Sequence, residues 1–342
     1  MAGGGVHVLN TGGTISYGSP GPEGAALDHA PDRALAGLAA EAGLPGPPAY
    51  REVFRKGSVN ILPGDWPAIA AAALEAVRGG ADGVVVLHGT DTLVYTAAAL
   101  SFMLVNLPVP VVLTGSMRPG GAPGSDAPRN LRDALRVAAS GDLAEVCIVF
   151  ARDAAGSGGV ILRGNRARKA SAIALDAFES PNYPPLGAVD GETIRYGEAA
   201  RVSRGAREVP ALAPELNADV CRIAYHPGCT AALVAGALGR ADGAVIEGTG
   251  LGHLPTEGGI LEAIRESGKP VVLVSACWRG GVRLGLYDVD REILAVDNLI
   301  PGHDLTPEAA LVKLMWVLGQ ERGIGRVRAR MQEPIAGELT AA

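Results

Sequence analysis

The sequence predicts an α/β protein of two domains. The larger, N-terminal one is a mostly parallel sheet flanked by helices, and the smaller is a C-terminal α/β domain. Three observations carry that expectation. Short β-branched runs alternate with Ala- and Leu-rich helical stretches. The runs are apolar along their length, as strands covered on both faces must be. The alternation pauses once, across a stretch richer in Gly, Pro and charge, and then resumes. With 342 residues, 48% of them hydrophobic, the chain can supply two cores.

In chain order, the first series of strands is VHVLNT (6–11), GVVVLHG (83–89), PVVLTGS (110–116) and EVCIVFA (145–151). Helices are predicted between them at WPAIAAAALEAVRGG (66–80), TLVYTAAALSFMLVN (92–106) and RNLRDALRVAASG (129–141). The second series is VCRIAYH (220–226), GAVIEGTG (243–250) and PVVLVSAC (270–277), joined by AALVAGALGRA (231–241) and GGILEAIRES (258–267). The last helix is TPEAALVKLMWVLGQ (306–320), with Thr306 as its N-cap and Pro307 at its first helical position. Between the series, roughly 186–214 reads as a connection with one strand around ETIRYG. The resulting division is an N-terminal domain over 1–190, a linker over 191–212 and a C-terminal domain over 213–342.

Composition removes several function classes. The net charge of −6 is scattered, with no basic block, so no nucleic-acid partner is expected. Cys147, Cys221, Cys229 and Cys277 form no CxxC pair and read as small buried hydrophobes. The histidines lack metal-ligand spacing, so no metal is expected. The N-terminus MAGGGVHVLNTGG has neither a basic nor an apolar leader region, which predicts no signal peptide and a cytoplasmic location. No stretch reaches the roughly 18 uninterrupted apolar residues of a membrane span. Lysine occurs only at 56, 169, 269 and 313, and base bias accounts for that scarcity.

Three strand ends carry glycine- and hydroxyl-rich turns: TGGTIS (11–16), HGTDT (88–92) and TGSMRP (114–119). In a parallel sheet all three leave the same edge, where α/β folds bind ligands. Any one could be an ordinary turn, with Thr or Asp capping the next helix. Three together point to a small anionic substrate met by a hydroxyl nucleophile, because glycine lets backbone N–H groups approach closely and helix N-termini favour anions. A phosphate site is a poor alternative. The pattern GxxxxGK(S/T) is absent, TGGT lacks the GxGxxG spacing, and GTGLGHLP (248–255) has Pro255 where the third glycine would stand. No GxSxG nucleophile turn is present.

These motifs, followed by D-x-x-x-N-L (Asp126 to Leu131), RARKA (166–170), DAFESPNYPPLG (176–187) and the C-terminal TPEAALVKLMWVLG, run collinear over almost the whole chain. In this the sequence resembles the bacterial-type L-asparaginases, cytoplasmic type I-like amidohydrolases with a threonine nucleophile. The resemblance implies that Thr14 is the nucleophile, with Thr90, Asp91 and Lys169 forming a second catalytic group. It implies that Ser58, with Gly57 beside it, binds the substrate α-carboxylate. It further implies that Gly89 lines the substrate site and that the backbone carbonyl of Ser116 receives the side-chain amide. Asp91 would also anchor the α-ammonium. Amide hydrolysis needs a nucleophile, a proton relay and oxyanion donors, and this residue set can supply them. Whether Thr14 or a water activated by the second group attacks first stays open.

The family's expected activity is hydrolysis of L-asparagine to L-aspartate and ammonia, in asparagine catabolism, without a cofactor and as a homodimer or dimer of dimers. Its partner is a small-molecule substrate, L-asparagine or also L-glutamine, with no nucleic acid and no membrane. The sequence departs from the family in the loop after the nucleophile, where a tyrosine is expected and Ala25 stands. Tyr17 and His253 are therefore candidates for the lid or pocket, and 18–31 for a gate. His88, between an apolar strand and Gly89, reads as a hydrogen-bonded structural residue, and Thr11 as a support for the first turn. GTGLGHLP and SACWRGGVRLGLYD (275–288) also resemble the amidase subunit of archaeal glutamyl-tRNA amidotransferases. That subunit has an additional N-terminal domain, whereas this chain begins at the first strand, which favours the hydrolase. A dual asparaginase–glutaminase and a non-catalytic amino-acid sensor complete the alternatives.

Overall fold

The computed structural model describes residues 4–21, 24–27, 31–201 and 209–340, with the side chains of 17–34 outside that description. The chain divides into two compact units, Met1–Pro214 and Glu215–Ala342.

The first unit is built on an eight-stranded sheet. Its order is Thr193–Tyr196, Gly187–Asp190, Gly159–Arg163, Val146–Ala151, Val111–Thr114, Gly83–Leu87, Val6–Gly12 and Ala49–Lys56. The last five strands run parallel, and the first three extend the sheet antiparallel. Val84, Val85, Val86, Val111, Val112 and Leu113 are wholly buried, because helices cover both faces of these central strands. Pro31–Glu41 and Ala127–Ser140 pack together on the sheet, as do Trp66–Arg78 and Leu93–Met103. The predicted α/β class and mostly parallel sheet are thus present. The strands end earlier than the apolar runs, at Leu87 and Thr114, so HGTDT and most of TGSMRP lie in turns.

Two features differ from the sequence expectation. The stretch 191–212, read as a linker, lies within the first unit. Its beginning closes the hairpin Gly187–Asp190/Thr193–Tyr196, and Ala211–Leu212 pairs with Leu104–Val105. Over 187–196 the Gly-rich, charged composition reflects a half-exposed edge hairpin. The edge strand Ala49–Lys56 was also not anticipated. Its sequence AYREVFRK mixes charge and aromatics because much of the strand is open to solvent.

The second unit has four parallel strands in the order Val220–Ala224, Gly243–Gly248, Val271–Ser275, Leu299–Pro301. Its core joins Val234, Ile246, Leu261, Ile264, Leu273 and Ile293. Helix Pro307–Gln320 starts as expected, with the Thr306 side chain accepting the Ala309 N–H at 3.2 Å. All four cysteines are free thiols. Burial pushes the Cys147 thiol well above its ordinary pKa, whereas Cys277, expected in the core, is exposed because its strand stops at Ser275.

Candidate active site

The carboxyl edge of the first sheet brings four segments together. Strand Val6–Gly12 lies between Ala49–Lys56 and Gly83–Leu87, so Gly13–Ser16 emerges between Gly57–Asn60 and His88–Thr92. Val111–Thr114 delivers Gly115 and Ser116 beside them. Glycine makes the contact possible. A Cβ on Gly13, whose φ is +85°, would sit 2.2 Å from the Gly89 nitrogen. One on Gly89 would sit 2.6 Å from Ser58 Oγ. Glycine here allows turn to pack on turn, in addition to the exposed backbone that the sequence suggested.

Thr14 opens a single 3-10 turn, Thr14–Ser16, and is half-buried. Its carbonyl accepts the Gly120 N–H at 3.4 Å. Thr11 is wholly buried, and its hydroxyl donates to the Leu87 carbonyl at 2.7 Å, so it ties this strand end to the next. Ser58 is also buried: its Oγ accepts the Asp91 N–H at 3.3 Å and its carbonyl accepts the Thr92 hydroxyl at 2.7 Å. The Ser58 hydroxyl proton is not used in either contact. Gly57 precedes it in an extended conformation.

Lys169 Nζ donates to Thr90 Oγ1 at 2.9 Å and to Asp91 Oδ1 at 2.7 Å. Thr90 is buried, while the Asp91 side chain is 59% exposed and that of Lys169 20%. These partners lie 78 and 79 positions away from Lys169, so the fold brings them together. The lysine is delivered by the short pairing of Arg168–Lys169 with Phe178–Glu179. Phe178 in turn packs edge-on against Phe150 at 4.7 Å, which anchors the hairpin to the central sheet. Upstream, Arg163 pairs with Glu145 in a buried ion pair at 2.6 Å, and the Arg163 and Arg166 guanidinium groups both lie over the Tyr183 ring. Lys169 therefore projects from a rigid support.

Ser116 is buried, with its hydroxyl donating to the Arg118 carbonyl at 2.7 Å. The turn is held from below by the D-x-x-x-N motif, to which the sequence reading gave no role. The buried Asp126 carboxylate accepts the N–H groups of Met117 at 2.9 Å and Arg118 at 3.0 Å. Asn130 Nδ2 donates to Asp126 at 2.9 Å and to the Gly115 carbonyl at 3.0 Å. Four-residue spacing at a helix start beside a Gly- and Pro-rich turn is the signal that could have found this clamp. His88 is wholly buried, with Nδ1 donating to the Gly89 carbonyl at 2.7 Å and Nε2 facing Thr96 Oγ1 at 2.9 Å. Burial lowers its pKa to about 4, so the ring is neutral.

Tyr17 starts the strand Tyr17–Gly21, which pairs with Gly24–Leu27. Its side chain, and residues 22, 23 and 28–30 of the expected gate, lie outside the described residues. His253 belongs to the second unit. Its Nε2 lies 3.1 Å from Asp290 Oδ1, off the line of a good hydrogen bond, and its ring meets Tyr287 edge-on at 5.4 Å. The N–H groups of Tyr287, Leu286 and Gly285 all donate to Asp290 Oδ2 and hold that carboxyl below its ordinary range, against the effect of burial. Among the described residues no group of three or more His, Cys, Asp and Glu could hold a metal, and no helix is long and apolar enough to cross a membrane.

Comparison with known proteins gives a family context for this geometry. The model "Asparaginase, N-terminal" matches residues 5–201, and "Glutaminase/Asparaginase C-terminal domain" matches 219–331. The chain belongs to the asparaginase family. Those two matches bracket the boundary between the units at Pro214 and Glu215. The chain is 40% identical over 337 residues to an L-asparaginase of Thermococcus kodakarensis, covering 97% of this chain and 98% of that one. It is also 38% identical over 349 residues to a glutamyl-tRNA(Gln) amidotransferase subunit of the same organism, covering 98% of this chain and 76% of the relative. Among solved structures it resembles the thermostable L-asparaginase from Thermococcus kodakarensis, with a TM-score of 0.88 and 38% identity over 99% of this chain and 100% of that one. The asparaginase fold thus extends through both units.

Proposed function

We propose that this member of the asparaginase family is an L-asparagine amidohydrolase with Thr14 as its nucleophile. The observation that carries the reading is the lysine bridge: Lys169 Nζ touches both Thr90 and Asp91, whose turn packs glycine to glycine against the one bearing Thr14. A hydroxyl nucleophile needs a neighbour that takes its proton. Thr90 and Lys169 form a hydrogen-bonded pair through which such a proton can move toward Asp91 and back.

In the proposed sequence, Thr14 Oγ attacks the side-chain amide carbon and its proton passes to Thr90 Oγ1, while Lys169 Nζ takes up the Thr90 hydroxyl proton as it hands one of its own to Asp91 Oδ1. Collapse of the tetrahedral intermediate breaks the C–N bond, and the same pair returns the proton to the departing nitrogen, which leaves as ammonia. Water then attacks the Thr14 ester, giving its proton to the pair. The C–O bond to Thr14 breaks, aspartate leaves and the Thr14 hydroxyl is restored. Ser58 has a hydroxyl proton to offer the substrate α-carboxylate, and the exposed Asp91 carboxylate faces the α-ammonium. Gly57 and Gly89 keep the backbone bare beside these groups, while the carbonyl of Ser116 receives the amide N–H. His253 remains a pocket candidate, and Tyr17 a lid candidate. The chemistry calls on no cofactor. The proposed setting is cytoplasmic, the partner is the amino acid alone, and the assembly is a homodimer or dimer of dimers.

Two further readings are tested alongside it. One extra methylene alters binding in a shaped pocket by only about 1–3 kcal/mol, so L-glutamine is a second substrate to test. The similarity to an amidotransferase subunit keeps that role in play. One experiment separates them: ammonia release by the purified chain from L-asparagine and L-glutamine, wild type against Thr14→Ala. The expected result is release with asparagine preferred, falling roughly 10³-fold or more in the variant. Comparable rates on both substrates would make the protein a dual enzyme. Release only with glutamyl-tRNA and a partner subunit present would favour the amidotransferase. Undiminished release by Thr14→Ala would remove Thr14 as nucleophile.

A further inference from the structure

We infer that Asn10 is a positioning residue for Thr14, acting with Ser16 and Tyr50 as a bracket around the reactive turn. The inference deepens the proposed function and rests on it for its kinetic consequence. Asn10 lies in strand Val6–Gly12 and is 3% exposed. Its Oδ1 accepts two hydrogen bonds, from the Gly12 N–H at 3.0 Å and from the Ser16 hydroxyl at 2.9 Å. Gly12 stands two residues before Thr14 and Ser16 two residues after it. One oxygen therefore holds both ends of the segment that presents the nucleophile.

The amide orientation follows from its partners. A backbone N–H can only donate, so the atom facing Gly12 is the carbonyl oxygen. The amide nitrogen then donates to Tyr50 Oη at 3.0 Å. Tyr50 sits on the adjacent strand Ala49–Lys56, in register with Val8. The bracket is thereby referred to the sheet and not only to its own loop.

The need for it is visible in the backbone. Gly12 and Gly13 have φ of +101° and +85°, a two-glycine hinge immediately before Thr14. Glycine loses more conformational freedom on ordering than any other residue. The close approach of Gly12 to the Lys56 backbone and of Gly13 to Gly89 demands glycine at both positions, and glycine by itself does little to fix the backbone leading into Thr14. Misplacing a reacting group by about 1 Å can cost about 100-fold in rate. Asn10 restores the precision that the glycines give up.

The test compares Ser16→Ala, Ser16→Thr, Tyr50→Phe and Asn10→Ala in the full chain, by steady-state kinetics and by NMR of the methyl-labelled Thr14 side chain. We expect kcat to fall about tenfold in Ser16→Ala and about 100-fold in Asn10→Ala, with KM and L-aspartate affinity within about twofold of wild type. Ser16→Thr, which keeps the hydroxyl, should return to within about threefold, and Tyr50→Phe should lose about threefold. The Thr14 methyl signal should broaden in Ser16→Ala and stay sharp in Ser16→Thr. The mild Ser16 and Tyr50 changes keep the test valid if Asn10→Ala does not fold. Wild-type kcat together with a sharp Thr14 methyl in Ser16→Ala and Tyr50→Phe would overturn the bracket. If the wild type shows no Thr14-dependent turnover, the hydrolase reading fails. The methyl signal then still decides the bracket, with broadening supporting it and a sharp signal overturning it.

Discussion

Lys169 and Lys313 each set an ammonium against a carboxylate, and they differ in what else is offered to the pair. Lys313, on helix Pro307–Gln320, is wholly buried and donates to three acceptors: Glu338 Oε1 at 2.5 Å, the Met331 carbonyl at 2.8 Å and the Glu333 carbonyl at 2.6 Å. An ammonium has three protons, and all are placed. Glu338, equally buried, accepts the N–H groups of Ile335 and Ala336 as well. Burial pulls the Lys313 pKa below its ordinary value, with Glu338 opposing that effect. The pair closes the chain's last turns onto the helix. Lys169 instead faces a hydroxyl and a carboxylate that is more than half exposed. Saturation makes a charged pair structural, and an open valence leaves it available to a ligand.

The largest test of that contrast is Lys169→Met. Removing a general acid–base group typically costs about 10²–10⁴-fold, so turnover should collapse to that extent while the unfolding midpoint and L-aspartate binding stay close to wild type. An unchanged rate would make Lys169 a mere surface partner of Asp91. Lys313→Met should do the reverse. Stranding Glu338 as an unpaired buried charge should cost about 3–5 kcal/mol in urea unfolding, with turnover per folded molecule preserved. Replacing Glu338 by Gln in the same chain should recover part of the loss. Equal stability of Lys313→Met and wild type would show that the pair holds nothing.

His88 sharpens the comparison with the smallest effect, because it is a buried titratable group beside the site that is saturated and neutral. Its folded pKa of about 4 lies below the ordinary value of 6.5. Between those pH values the unfolded chain takes up the proton and the folded chain does not, so stability falls as pH drops through the window. The His88 contribution across it is about 3 kcal/mol. Urea unfolding from pH 6.5 to 4 should therefore show a shallower pH slope in His88→Gln than in wild type. Identical slopes would mean that the ring is already charged, or solvated, in the fold.

Much of the fold was legible because parallel strands covered on both faces must be continuously apolar, as GVVVL and VVLVS are. The turns after them stood out because glycine and hydroxyl residues interrupt such runs abruptly. The strand Thr193–Tyr196 was anticipated around ETIRYG, but the half-exposed strand Ala49–Lys56 and the strand Gly187–Asp190 were hidden, since their side chains answer to solvent as much as to a core. Asn10 gave no signal at all: one asparagine at the end of an apolar run looks like any turn former, and its three partners lie 2, 6 and 40 positions away. Asp126 and Asn130 were visible as a pattern but not as a clamp.

By itself, then, the order of residues determined most of the buried strands and their helices, that the carboxyl edge of the first sheet would carry Thr14, Thr90 and Asp91, and that the chain would form two α/β units. Those properties are local or periodic, and local chemistry encodes them. Only the tertiary structure decided that Lys169 reaches Thr90 and Asp91 while Lys313 is sealed by Glu338, and that Asn10 grips both sides of the Thr14 turn. A lysine's environment is set by what folds around its ammonium, and those atoms come from distant parts of the chain.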